Sequence, residues 1–184
     1  MADFQKECPG VYASLSRMLT EVDLQVISSD YARAAEHGGN HETALTREEG
    51  VSFNPRLARV LSILLLDGDV REVSYLRASL FAALHHGTEV VVSLTPEELR
   101  VAVAECRNLD STDERALAVQ AAIRLDLVRH FHMTAHSREE KLSLLATSKN
   151  VPLLHTASRV PDMLKQKLSH AILLQERRLR QEGE

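Results

Sequence analysis

DERALAVQAAIRLDLVRHFHMTA, residues 113–135, decides the fold of this 184-residue chain more than any other stretch. Ser111 or Thr112 stands in front of it as a helix cap. Placed at 100° per residue, Leu117, Ala121, Ile123, Leu125, Leu127, Val128, Phe131 and Met133 point in nearly every direction. A helix that is apolar all round belongs at the centre of a bundle. The same helix carries Arg124, Asp126, Arg129, His130 and His132, with His136 just beyond. In a central helix some of these groups leave water, and a buried charge must then be paired.

Outward from this centre the chain reads as further helices. On the N-terminal side, Pro9-Gly10 separates a short tail from a pattern of Val11, Leu15, Met18, Leu19 and Val22 at helical spacing. A second segment follows, over about 23–36. His37-Gly38-Gly39-Asn40-His41 breaks it, and the polar stretch to Ser52 is expected to be a mobile loop. Asn54-Pro55 is a helix start, with Leu57, Val60, Leu61, Leu64 and Leu65 as the inward stripe. Asp67-Gly68-Asp69 ends that helix. The next, over about 70–86, uses Val73, Leu76, Leu80, Phe81 and Leu84, so a helical hairpin is expected. Glu89 to Leu94 holds three successive valines and reads as an extended connection. Thr95-Pro96-Glu97-Glu98 signals a helix to about Asn108. Ser137-Arg138-Glu139-Glu140 opens another, to about Lys149. Ser158 and Pro161 open the last, over about 160–182, with Leu164, Leu168, Ala171, Ile172 and Leu179 on one stripe. The expectation is an all-α fold, a single-domain bundle of seven or eight helices over 1–184. Residues 1–10 and 181–184 are expected as flexible tails.

Composition narrows the function classes. The net charge of −4 supplies no general basic field for nucleic acid. With 4% aromatic residues and no Trp, platforms for stacking bases are few. Arg177-Arg178-Leu179-Arg180 reads as a solvated helix end. Cys8 and Cys106 lie far apart and form no metal or redox motif, which fits a reducing compartment. No basic n-region and apolar h-region open the chain, and no apolar run approaches the ~20 residues of a membrane span. A cytoplasmic protein without a membrane segment is expected.

Chemistry is concentrated in the histidines. Asp126 and His130 stand at i,i+4 and share a helix face, as do His132 and His136. An Asp–His pair can fix an imidazole tautomer for metal binding or proton transfer, or it can tie neighbouring helices together. The zinc-protease pattern needs a Glu directly after the first His, where Met133 stands. His85-His86 lies at the end of the 70–86 helix, where the helix dipole alone favours a protonated imidazole. His85, His86, Asp126, His130 and His132 are therefore the candidate metal ligands. There is no Gly-rich phosphate loop and no nucleophile elbow, so no catalytic residue is assigned.

The stretch Arg77-Ala78-Ser79-Leu80-Phe81-Ala82-Ala83-Leu84-His85-His86-Gly87 resembles the helix end that carries the His-Asp dyad of HD-type metal-dependent phosphohydrolases. Ile123-Arg124-Leu125-Asp126, with Arg129-His130-Phe131-His132-Met133, is similar to a later metal-ligand helix of their alarmone-hydrolysing branch. That resemblance implies an all-α fold, a divalent metal and cleavage of a phosphate ester. It covers about a fifth of the chain. His86 stands where the family's metal-binding Asp would be, the acidic pair downstream is replaced by Gly87-Thr88-Glu89-Val90, and the 54–66 helix holds no His. No family is assigned on this basis.

Two functions follow as expectations. The first is a non-enzymatic helical interaction or regulatory domain that binds another protein or itself. The second is an HD-like phosphohydrolase with its site between the helices at 70–86 and 113–135, which requires those helices to be adjacent. A ligand pocket between helices is a third, weaker expectation.

Overall fold

A computed structural model describes residues 3–38, 55–84, 88–131, 136–149 and 161–181. The described residues form ten α-helices and no strand. They are α1 (Phe4–Glu7), α2 (Pro9–Ser16), α3 (Glu21–Gly38), α4 (Pro55–Leu66), α5 (Val73–Ala82), α6 (Thr88–Leu94), α7 (Arg100–Arg107), α8 (Glu114–Arg129), α9 (Arg138–Lys149) and α10 (Asp162–Gln181). The fold is all-α, as its helical periods require.

The centre is α8. Ala116 to Ala122 are buried without a break, followed by Leu125, Asp126 and Val128. Helix α8 packs against α4, α5, α7 and α10. The α4 stripe is buried as expected, with Leu57, Val60, Leu61 and Leu64 at 1% exposure or less. So is the α10 stripe, and burying each such aliphatic side chain contributes about 1.5–3 kcal/mol. Helix α5 packs on α4, completing the expected hairpin. The turn between them is tight. Gly68 N–H and Asp67 N–H both donate to the Ile63 carbonyl, and Val70 N–H donates to that of Leu64. A Cβ at Gly68 would stand 2.9 Å from the Leu64 carbonyl oxygen. Asp69 takes the left-handed conformation, φ 46°, which Asp tolerates better than most residues.

Several boundaries differ from expectation, each for a local reason. The N-terminal stretch forms α1 and buries Phe4 against Tyr12 and Tyr31. The expected first stripe breaks at Arg17, the C-cap of α2, so Met18 and Val22 are exposed rather than inward. Glu89–Leu94 lies in α6 and is not an extended connection. A helix puts Val91 in the core and Val90 towards water, and burial outweighs the extended preference of valine. Thr95 turns back and donates to the Val91 carbonyl, closing α6 instead of capping α7. Helix α7 is entered through a 3-10 turn at Glu97–Leu99. The cap of α8 is Asp113, whose carboxylate accepts from the N–H groups of Arg115 and Ala116. Ser111 instead accepts from the Asp113 N–H and donates to Glu105. Helix α9 opens on a reciprocal capping box: Ser137 N–H donates to Glu140 Oε2 at 2.7 Å, and Ser137 Oγ accepts from Glu140 N–H at 3.2 Å. The loop expected over 37–52 lies, from Gly39 on, outside the described residues, as do Ser158 and residues 182–184.

Candidate functional site

Two features combine polar chemistry with accessible or central position. The first is the polar network inside the bundle. Asp126 is 1% exposed, on the α8 face that meets α4. Arg59 of α4 reaches it with two parallel bonds, Nε to Oδ1 at 2.5 Å and Nη2 to Oδ2 at 3.1 Å. Such a fork engages both carboxylate oxygens and is among the strongest side-chain pairings. His130 joins from one turn further on. Its Nδ1 lies 2.8 Å from the Asp126 carbonyl oxygen and 3.2 Å from Oδ1. Both oxygens only accept, so Nδ1 carries the proton.

The helix expected to run to residue 135 stops here. His130 is the C-cap of α8, with φ −109° and ψ 22°. Its main-chain and ring N–H groups both turn onto the last carbonyls.

Of the sequence-derived candidates, Asp126 and His130 are thus brought together as their spacing required. His85, His86 and His132 lie outside the described residues. His136 is exposed, 3.8 Å from Glu140. Helices α5 and α8 do touch. Among the described residues, no group of three or more His, Cys, Asp or Glu is placed to hold a metal ion. Arg59 was missed. Its only signal was a cation within the α4 stripe, and Arg56 in the same helix, itself 5% exposed, offers the same signal.

The second feature is an open groove of about 510 Å³ lined by Tyr75, Glu98, Val101, Ala102, Glu105, Thr112 and Asp113. Helix α7 supplies its ridge. Leu99, Val103 and Cys106 are buried, so the opposite face, with Val101, looks outward. Val101 is 83% exposed, which is unusual for a valine with carboxylates one turn away on each side, Glu97 and Glu98 before it and Glu105 after.

The groove wall is braced by arginines. Arg77 bridges buried Asp30 at 2.6 Å and Glu98 at 2.9 Å. Burial pushes the Asp30 carboxyl up despite that partner. Arg115 binds Asp113 at 3.0 Å and lies over the Tyr75 ring, 5.0 Å from its centroid. The Arg115 contact, together with the helix-cap bonds, holds the Asp113 carboxyl down at about 2. Burial and the bond to Asp113 push the Tyr75 hydroxyl up to about 12. The thiol of Cys106, beneath the ridge, is also pushed up to about 12 by burial.

No family model, curated protein or solved structure matches this chain. Among the described residues, no helix is long and apolar enough to cross a membrane.

Proposed function

We propose that this chain is a non-catalytic helical interaction domain that binds another protein, or a further copy of itself, through the groove on α7. The observation that supports it is Val101, 83% exposed among carboxylates in an open concavity. An apolar centre with a charged rim is the usual anatomy of a binding patch. The rim favours a basic partner through Glu97 and Glu105, for Glu98 and Asp113 are already paired with Arg77 and Arg115.

The HD-like alternative draws on the same Asp126–His130 pair that the resemblance singles out. Its carboxylate, however, is already gripped by a cation through both oxygens. A divalent metal would have to displace Arg59 from a two-point grip on a carboxylate that is 1% exposed. The geometry therefore favours the interaction reading.

Peptide selection against the full chain tests it. Selected helical peptides are expected to be rich in Lys or Arg beside aliphatic residues. Their binding is expected to be lost in Val101→Lys, whose melting temperature stays near the parent's because the side chain lies in water. Peptides without basic bias, or equal binding to Val101→Lys, would overturn the proposal.

A further inference from the structure

We infer that the groove's occupant is the outer face of α10 from a second copy of this chain. This rests on the proposed function above and names its partner. Helix α10 buries Leu164, Leu168 and Ile172 on one side, yet Leu173 and Leu174 remain 50% and 51% exposed on the other. Arg177 follows one turn later on that outer face, exposed, with Arg180 beside it. The helix carries five basic residues against two acidic ones.

The two faces are complementary in kind. One presents an aliphatic side chain beside Glu97 and Glu105, neither of them ion-paired among the described residues, Glu98 being held by Arg77; the other presents an aliphatic pair followed by arginines. Both point into water, so the match is not made within one molecule. Helix α8 lies against both α7 and α10. A contact between α7 of one copy and α10 of the next is head-to-tail: each molecule keeps one free groove and one free α10 face. Association by this route is open-ended and concentration-dependent. Charge steers it, so salt weakens it, because exposed charges are screened beyond about 8 Å at physiological ionic strength.

Sedimentation velocity of the full chain, over a concentration series at low and high salt, tests this. The expected result is a rise in mean sedimentation coefficient with concentration at low salt, suppressed at high salt. Glu97→Arg alone and Arg177→Glu alone each weaken association tenfold or more. Mixing the two variants, or combining both changes in one chain, restores it. Both changed residues are exposed, so folding is not at stake. A chain that stays monomeric throughout overturns the inference. So does a dimer indifferent to both substitutions. In either case, peptide binding lost in Val101→Lys would leave the interaction reading standing, and its absence would remove both.

Discussion

Asp126 is the residue on which the interior turns. It is buried at 1% exposure, forked by Arg59 and capped by His130, so removing Arg59 leaves a carboxylate charge in the core. Arg59→Met is expected to cost about 3–5 kcal/mol, the usual loss when a buried charge loses its partner, and Asp126→Leu less, because the Arg59 side chain is 24% exposed. The double variant is expected to lose less than the sum, because two apolar groups replace two charges. Urea unfolding of the four proteins checks this, and strict additivity would mean the pair is not coupled. The sequence showed that Asp126 and His130 share a face, since i,i+4 spacing fixes that. It could not show Arg59, which stands 67 residues away and meets Asp126 only once α4 and α8 are packed.

At the scale of the element, helical period was legible and helix ends were not. The stripes of α4, α5 and α10 read correctly because a buried face repeats every three to four residues. The ends depend on which of several neighbouring groups wins. Ser111, Thr112 and Asp113 can each cap a helix, and only the bond geometry selects Asp113. Its charge gives that cap a pH signature. The folded carboxyl titrates at about 2, below its ordinary 3.8. The stabilisation is therefore fully present above about pH 4 and is lost as pH falls through 2. Asp113→Ala is expected to cost about 1 kcal/mol at neutral pH. Its deficit relative to the parent should narrow between about pH 4 and pH 2. Chemical denaturation across that range is the check, and a deficit independent of pH would refute the assignment. Asp113→Asn, which keeps an accepting oxygen, should lose less. Helix α6 is the plainest misreading. Three valines favour extended backbone, yet Val91 has a core to enter only if the segment is helical.

At the scale of the whole molecule, the all-α bundle was legible because α8 is apolar around most of its circumference. The groove was not. Nothing in the sequence marks Val101 out, and its exposure follows from Leu99, Val103 and Cys106 taking the inward side of a short helix. The basic end of α10 reads in sequence as a solvated helix end, and nothing there relates it to the carboxylates beside Val101. The fold puts the two on helices that both pack on α8.

The most direct test is an amide NMR map of the full chain, titrated in turn with a Leu/Arg-rich amphipathic peptide and with Zn²⁺. The interaction account predicts that the peptide shifts amides over 97–105 and 112–113, with high salt reversing the effect, while Zn²⁺ leaves Asp126 and His130 unmoved. Shifts at Asp126 and His130 with Zn²⁺, and none in the groove with peptide, would contradict it and favour the metal-dependent reading.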